Sequence, residues 1–427
     1  MKKVVQAIKG TRDFYPEEMA VRSWLYRTIR RVSELHGYQE YEAPILEKLE
    51  LYAAKSGEEL VKEQAFVFED RGGDLIALRP ELTPSLARMV AQRQKELTYP
   101  LRWWSFGPFW RYERPQKGRT REFFQWNIDL IGADSPESDA ELISIAAAFF
   151  KAVGLDPDQV VILVNNRRLM EAELARLQIK PELKGDVFRL IDRRDKMTPD
   201  NWTAYARDMG LSEAQMEGLT LLLSDEEAWK RSEEMTRLFT ALEQVGVKDY
   251  VQFDAGIIRG LEYYTGTVFE ARDRQGEGRA ILGGGHYDNL VADVGGDPLS
   301  GVGFAMGDVM IRVILEKYQC LPELNTQPAQ VLVTVFDEDS LLDSLRLAAE
   351  LRARGANTIV FTEPVRLQKQ LKFADKAGVR FVVIVGPDER QAGQVTVKDL
   401  AAREQTSLSR EQAAAFLSQK LAKAEAV

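Results

Sequence analysis

The sequence has little of the two residue types that carry most thiol, metal and hydrolytic chemistry. A single cysteine, Cys320, excludes an intramolecular disulfide and a cysteine-based zinc site. The two histidines, His36 and His286, come without a nucleophile-elbow sequence, which argues against a Ser-His-Asp hydrolase. The phosphate-loop pattern GxxxxGK[ST] and a GxGxxG that opens a helix are also absent. A phosphate-bearing ligand therefore has to be bound by another arrangement.

Long apolar runs are lacking as well. The sequence has no run of 18 apolar residues, and its first residues lack the apolar core of a signal peptide, so we expect a cytoplasmic protein without a membrane partner. A net charge of −9 argues against a surface that coats nucleic acid, but it leaves room for local basic patches. The length of 427 residues suggests about three domains.

The stretch that organises the chain runs from residue 101 to residue 132. At strand period it reads as two strands, the first reaching Glu113, joined by a basic loop at 114–121. Even-numbered positions are aromatic or aliphatic, whereas odd-numbered positions carry Arg111, Gln125 and Asp129. A half-exposed hairpin would alternate in the same way, but polar groups beside phenylalanines suit the floor of a pocket better than a water-facing surface. In addition, the connecting loop is strongly cationic, although a tight two-residue turn would be enough to join the strands. We interpret the stretch as the floor of a site for a polar, phosphate-bearing ligand.

The remaining pattern predicts an α+β protein. Helices are expected at 17–36, 83–94 and 139–153, strands at 38–46, 66–70, 74–78, 160–164 and 301–307, and a helix capped by Asp308. Residues 167–247 are helical in pattern and look like an insertion. After a polar linker, strands and helices alternate from residue 330, which predicts a small α/β domain with a mostly parallel sheet. The expected domains are therefore 1–325 and 330–427.

Three features have two interpretations each. Glu81, ahead of the second helix, could be a helix cap or a loop carboxylate, or it could bind an ammonium group. The glycines at 283–285 could form a bulge or a turn, or bring backbone close to a ligand or to another strand. Basic residues are concentrated near the helix expected at 367–377, where they could be a solvated face or contact a phosphate backbone: Arg366, Lys369, Lys372, Lys376 and Arg380.

Several motifs together resemble one family along nearly the whole chain. IKGTRDFYPEE, LRPELT, FWRYERPQKGRTREFFQ, RGLEYYTGTVFE, GGHYD and GVGFAMG are similar to the motifs of class II histidyl-tRNA synthetases, and RGLEYYTGTVFE is the most specific of them. The resemblance implies a catalytic domain on an antiparallel sheet with a helical insertion, an α/β anticodon-binding domain, and a homodimer interface near Pro44. It implies activation of L-histidine by ATP with Mg²⁺, release of pyrophosphate, and transfer of histidine to the 3′ end of tRNA(His).

The resemblance also assigns roles to residues, position by position. The histidine-binding residues would be Glu81, Thr83, Arg111, Gln125, Asp129, Arg259, Tyr263 and Tyr264, with Asp129 standing where the family more often has Glu. The ATP-binding residues would be Arg111, Glu113, Arg119, Arg121 and Phe123, with Phe123 stacked on adenine. Arg111 and Arg259 would be catalytic, because attack at the α-phosphate needs fixed cations more than proton transfer. Gln116 and Arg119 would lie near the tRNA acceptor end, and no metal ligand is assigned.

Two positions depart from the family pattern. Val309-Met310 stands where class II enzymes usually have Glu-Arg, and Arg312 lies about 200° further around the helix, so Arg119 and Arg121 would bind the outer phosphates largely alone. His286 stands where Arg is common. An alternative is therefore an inactive paralogue, of the type that serves as a histidine-sensing regulatory subunit of ATP phosphoribosyltransferase. The C-terminal domain and the retained arginines favour the ligase, and the Arg259–Tyr264 segment disfavours a synthetase for another amino acid.

Overall fold

The computed structural model describes residues 4–53, 64–116, 118–258, 264–276, 279–324 and 326–425, without the side chains of 195 and 422–425. Arg259 and Tyr263, two of the predicted site residues, lie outside these ranges, as does Lys117 of the basic loop. The chain divides into two compact units, residues 1–322 and 323–427. No helix in the part of the chain that the structure describes has both the length and the apolar character needed to cross a bilayer.

Two sheets form the frame of the first unit. Its strands are β1 Gln39–Glu40, β2 Leu46–Lys48, β3 Phe66–Glu69, β4 Leu75–Leu78, β5 Leu101–Trp110, β6 Glu122–Ile131, β7 Val160–Asn166, β8 Val251–Phe253, β9 Thr267–Asp273, β10 Leu282–Tyr287 and β11 Gly301–Gly307. The large sheet has the order β1-β5-β6-β11-β10-β9-β7-β8, and the small one β2-β4-β3. In that order, every pair of neighbouring strands from β5 through β6, β11, β10 and β9 to β7 is antiparallel. This sheet, together with the helices, confirms the predicted α+β class.

The helices of the first unit are α1 Pro16–Leu35, α2 Leu49–Ala53, α3 Thr83–Arg93, α4 Pro136–Ala152, α5 Arg167–Arg176, α6 Lys184–Asp192, α7 Pro199–Asp208, α8 Glu213–Leu223, α9 Glu233–Gln244 and α10 Asp308–Lys317. Helix α4 covers one face of the large sheet, where it contacts β6, β7, β9 and β11. The even-numbered hairpin residues predicted to be apolar point to this side, where Trp126 packs on Phe149 of α4 with ring centroids 5.4 Å apart. Trp104 and Trp126 are fully buried. The odd-numbered side chains are thereby left on the opposite face, which carries the candidate site.

The second unit is built on one mixed sheet. Its strands are β12 Val331–Val333, β13 Thr358–Val360, β14 Phe381–Ile384, β15 Gln394–Asp399 and β16 Glu404–Ser409, in the order β13-β12-β14-β15-β16, and its helices are α11 Glu338–Ala353, α12 Leu367–Lys376, α13 Pro387–Ala392 and α14 Arg410–Glu425. Strands β12 to β14 are parallel, but β15 and β16 are antiparallel. The expectation of a mostly parallel sheet is therefore only half right, because the hairpin at 394–409 adds two antiparallel strands.

Three local predictions are wrong in detail. Strand β5 ends at Trp110 rather than Glu113, because the N–H of Tyr112 donates to Gln64 and the N–H of Glu113 to Arg111, outside the ladder. The strand expected at 38–46 is reduced to the short β1 and β2, on either side of Pro44. Asp308 is the first residue of α10 rather than its cap.

The Asp308 carboxylate connects three segments of the first unit. It accepts the N–H of Phe124 on β6 at 2.8 Å and pairs with Arg12 at 2.8 Å. Strand β6, helix α10 and the N-terminal segment are thereby held together below the candidate site.

Candidate functional site

The open face of the large sheet has a row of small residues across its centre. The strand register aligns Asn127, Ala305, Gly283 and Glu270 in one row. The next row aligns Asp129, Gly303, Gly285 and Val268. Glycine and alanine on β10 and β11 leave a trough between acidic residues on β6 and β9. The glycines at 283–285 are regular residues of β10, so the bulge that was one of their interpretations is wrong.

An acidic pocket, formed by Asp129, Tyr264 and Tyr287, lies at one end of this trough. A Cβ on Gly303 would lie 2.1 Å from Oδ1 of Asp129, and a Cβ on Gly285 would lie 2.8 Å from the ring of Tyr264, so both groups cover glycine backbone. The hydroxyl of Tyr287 donates to Oδ1 of Asp129 at 3.1 Å. Because Gly285 and Gly303 are register partners, the three side chains meet in one place, and all three are buried. The structure therefore brings together Asp129 and Tyr264, the residues predicted to bind an imidazole.

A second cavity, which we call the hairpin cleft, opens beside the basic loop. Among its lining residues are Arg111, Glu113, Arg119, Phe123 and Met310. The nearly buried carboxylate of Glu113 forms an ion pair with Arg119. The guanidinium of Arg111 lies 5.3 Å from the ring centroid of Phe123. An aromatic face, a carboxylate and two arginines thus surround one cleft, a set that can bind a planar, anionic ligand.

The remaining predicted residues occupy two neighbouring segments. The Nε–H of Arg111 donates to the carbonyl of Pro80 at 2.9 Å, which joins the hairpin to Glu81 and to Thr83, the first residue of α3. Gln125 on β6 is paired with Gly307 of β11. In the loop, Gln116 and Arg119 form an isolated β-bridge, so the two residues predicted near the acceptor end lie together.

Arg121 has a different environment from the other predicted ATP ligands. Its guanidinium lies over the ring of Tyr112, 4.0 Å from the centroid, and its Nε–H donates to the carbonyl of Glu113 at 3.2 Å. Among the residues that the structure describes, it does not line the hairpin cleft. The backbone carbonyl of Arg121 accepts the N–H of Arg111 at 2.8 Å, but the Arg121 side chain lies outside the lining of the cleft.

Comparison with known proteins decides the family. A family model described as histidyl-tRNA synthetase matches residues 10–309, and one described as anticodon binding domain matches residues 330–420. The chain belongs to the histidyl-tRNA synthetase family. The histidine–tRNA ligase of Arabidopsis thaliana chloroplasts and mitochondria is 40% identical over 407 residues, 93% of this chain and 83% of that protein. The histidine–tRNA ligase of Leptospira biflexa is 34% identical over 427 residues, 97% of this chain and 98% of that one.

Solved structures agree with this membership. The histidyl-tRNA synthetase of Nostoc sp. PCC 7120 is similar with a TM-score of 0.83 and 28% identity, over 99% of this chain and 100% of that one. The fold is therefore that of a class II synthetase with a C-terminal anticodon-binding domain. A Bacillus halodurans protein described as an ATP phosphoribosyltransferase regulatory subunit/histidyl-tRNA synthetase has a TM-score of 0.74 at 24% identity, which shows a shared fold only.

The first departure from the family pattern, Met310, lies in the hairpin cleft. A Cβ on Gly118 would be 2.4 Å from its Sδ, so the thioether packs directly against the basic loop. Arg312 forms an ion pair with Glu316 at 2.9 Å. Met310 therefore contributes an apolar surface to the cleft and no charge.

The second departure, His286, occupies a buried site of its own. Its Nδ1 lies 2.8 Å from Asp139 of α4 and its Nε2 lies 3.2 Å from Asp288. Burial by itself lowers the pKa of His286, but Asp139 and the two other nearby aspartates, Asp288 and Asp134, outweigh it and raise this pKa above the ordinary value. His286 thus joins β10 to α4 through its contact with Asp139, and the raised pKa favours its protonated form.

Two candidate places for a metal ion exist among the described residues. The first consists of Asp134, His286 and Asp288, whose ligand atoms lie within 4.8 Å of one another. Both ring nitrogens of His286 lie beside aspartate oxygens, an arrangement that suits a protonated histidine at least as well as a metal ligand. Mg²⁺ prefers one or two carboxylates together with substrate phosphates. Glu113 lines the hairpin cleft, and Glu270 lies in the trough row beside Gly283, so these carboxylates fit a Mg²⁺ that is bound mainly through phosphates.

Some residues of the site could be found only in the structure. Tyr287 donates to Asp129, and Arg79 donates to the carbonyl of Pro108 at 2.9 Å beneath the hairpin. Both belong to motifs of the sequence, GGHYD and LRPELT, but their spacing does not reveal these partners. Arg279, at the end of the β9–β10 connection, directly precedes Ala280 and Ile281 of the hairpin cleft. Its only sequence signal is a positive charge in a loop.

The buried Asp129 predicts a pH-dependent stability. Burial raises its pKa from 3.8 to about 7, and the hydrogen bond from Tyr287 opposes this only in part. The folded state therefore retains a proton that the unfolded state loses, and the free energy of unfolding falls as the pH rises from about 4 to 7. An Asp129→Asn variant has no carboxylate to titrate at this position. The free energy of unfolding of the variant minus that of the wild type should therefore increase by roughly 2–3 kcal/mol between pH 5 and pH 8. Urea unfolding at both pH values measures this, with the exposed Asp208→Asn as control; an equal difference at the two pH values would refute it.

Proposed function

We propose that the chain is a histidine–tRNA ligase that activates L-histidine with ATP and transfers it to the 3′ end of tRNA(His). The observation that carries the proposal is the pair of sites along β6. The acidic pocket at Asp129 can accept an imidazole N–H, and the hairpin cleft at Phe123 can bind an adenine and phosphates. The relatives named histidine–tRNA ligase cover nearly the whole chain, which supports the same function.

The acidic pocket supplies the amino-acid specificity of this proposal. A carboxylate accepts from one ring nitrogen and a phenol contributes a second polar contact, so Asp129 and Tyr264 distinguish imidazole from apolar isosteres. Glu81, Thr83 and Gln125 would bind the α-ammonium. Glu81 is buried directly ahead of α3, which favours the ligand-binding interpretation over a solvated loop carboxylate.

The chemistry proposed for the cleft depends on fixed charge. The histidine carboxylate attacks the α-phosphate, the bond to the β-phosphate breaks, and pyrophosphate leaves; no proton is transferred to a side chain. Arg111 is held by Pro80, so its guanidinium is oriented before the negative charge develops on the phosphate. Arg259 would serve the same phosphate. Mg²⁺, when bound by the phosphates with Glu113 and Glu270, would neutralise the charge of pyrophosphate.

The tRNA would contact both units. Gln116 and Arg119 of the basic loop would face the acceptor end, and the C-terminal unit would bind the anticodon. Helix α12 carries exposed Lys369, Lys372 and Lys376, which suit a phosphate backbone. A homodimer interface near Pro44 and a cytoplasmic location remain predictions from the sequence.

The regulatory-subunit alternative is not better supported than the ligase. The match to an anticodon binding domain at 330–420 is a feature that a histidine sensor does not need. The likeness to the Bacillus halodurans protein extends to the fold alone.

Pyrophosphate exchange with the purified full-length chain tests the proposal. We expect exchange of labelled pyrophosphate into ATP with L-histidine and Mg²⁺, and at least about 100-fold less with proline or threonine, because buried polar partners reject ligands that leave them unpaired. Calorimetric titration of L-histidine is run in parallel. Histidine binding without exchange at saturating ATP would favour the regulator and refute the ligase.

A further inference from the structure

The arginines around the hairpin cleft differ in the protein groups that they already contact. Arg119 forms an ion pair with Glu113, and the guanidinium of Arg121 is stacked on Tyr112. Arg111 donates to Pro80. Arg279 has neither an ion pair nor a side-chain hydrogen bond with any residue that the structure describes. It is therefore the cation of this group that has no protein partner there.

Arg279 also adjoins the cleft along the chain. It is exposed and directly precedes Ala280 and Ile281, which line the cleft, and β10 begins at Leu282. Partial burial, followed by the positive charge of Arg119, lowers the pKa of Arg279, while Glu113 opposes this. Two like charges that repel each other beside one cleft favour the binding of a multivalent anion between them.

We propose that Arg279 binds the outer phosphates of ATP and supplies the positive charge that Met310 does not bring to the cleft. This inference rests on the proposed function, since it names a residue for the ATP of that reaction. It changes the expectation that Arg119 and Arg121 bind those phosphates largely alone. Arg121 lies over Tyr112, whereas Arg279 directly precedes two residues that line the cleft and is subject to the charge of Arg119.

The contribution of Arg279 should depend on the residue at position 310. A charge-assisted contact to phosphate is stronger than a neutral one, so an Arg279→Met variant should raise the KM for ATP about tenfold or more. The same change should leave the KM for histidine and the inhibition by adenosine, which has no phosphate, within about twofold. Arg279→Lys should recover part of the loss, because it keeps the charge but not the guanidinium geometry.

A double-mutant cycle in the pyrophosphate exchange assay tests this compensation. The variants are Arg279→Met, Met310→Arg and the double variant, with Arg274→Met as matched control. Arg274 is an exposed arginine of the same connection that donates to Pro157. We expect Met310→Arg to restore ATP affinity in the Arg279→Met background far more than it improves the wild type, and the control to match the wild type.

Two outcomes would overturn the inference. One is a KM for ATP that is the same in Arg279→Met as in the wild type, provided that the wild type is active. The other is an equal loss for ATP and adenosine, which would indicate a structural role. If the wild type shows no exchange, the proposed function fails, and calorimetric titration of a non-hydrolysable ATP analogue decides the inference separately: equal affinity of wild type and Arg279→Met refutes it.

Discussion

An Arg111→Met variant should lose roughly 100- to 1,000-fold in the rate of histidine-dependent pyrophosphate exchange, the usual loss when one preorganised donor at a developing charge is removed. Arg111 is assigned to both substrates. Its side chain is oriented from one side by the carbonyl of Pro80 at 2.9 Å and lies beside the ring of Phe123. Because those partners hold the guanidinium in place before substrate binds, little reorganisation is needed during the reaction. Methionine keeps the volume and removes the charge.

Two companion variants make this result specific. Arg111→Lys keeps a charge but loses the planar donor geometry, so it should recover only part of the rate. Arg102→Met lies on the same strand and removes an ion pair with Glu141 at 3.0 Å, on the helix-covered side, and should stay within about threefold of the wild type. Exchange by Arg111→Met at the level of the Arg102 control would contradict the assignment.

An Arg79→Met variant should destabilise the first unit by about 2–5 kcal/mol, because it leaves two carbonyls without their donor at a cost of roughly 1–3 kcal/mol each. Arg79 is fully buried, pairs with Glu42, and donates to the carbonyls of Pro108 and Ala43 at 2.9 Å each. Gly107 leaves room for it, since a Cβ there would lie 2.2 Å from its Nη2. The Glu42 side chain is 55% exposed and can be solvated again, so the loss falls mainly on the two buried carbonyls.

Tryptophan fluorescence can follow this loss in the first unit alone. All 7 tryptophans lie within residues 1–322, so the signal in urea does not report the C-terminal unit. The control is Arg93→Met, which removes an exposed pair with Glu96 and should cost under about 0.5 kcal/mol. A midpoint for Arg79→Met equal to that of Arg93→Met would show that the buried network contributes little.

Much of the fold follows from local patterns. The alternation in residues 101–132 predicts the hairpin and its buried face, because a strand must place successive side chains on opposite sides. Strand β11 and helices α1 and α12 begin or end within a residue of their predicted bounds. Errors occur where backbone partners come from distant segments, as at Tyr112, which bonds to Gln64, and at Asp308, which bonds to Phe124 instead of capping α10.

The candidate site was also predicted in part from the sequence. The residue types needed for an imidazole and for phosphates, and the family that arranges them, could be inferred from motifs such as LRPELT and GGHYD. The roles assigned to Arg259 and Tyr263 stay predictions, because those residues lie outside the described part of the chain.

The sequence by itself determined the chemistry available to this protein: few histidines, one cysteine, and arginines and carboxylates placed on one face of a hairpin. Only the tertiary structure decided which of those charges act together. Arg279 and Arg119, 160 residues apart in the chain, repel each other; Tyr287 donates to Asp129; and three aspartates surround His286. Electrostatic interactions depend on distance in space and on burial, and neither can be read from spacing along a chain.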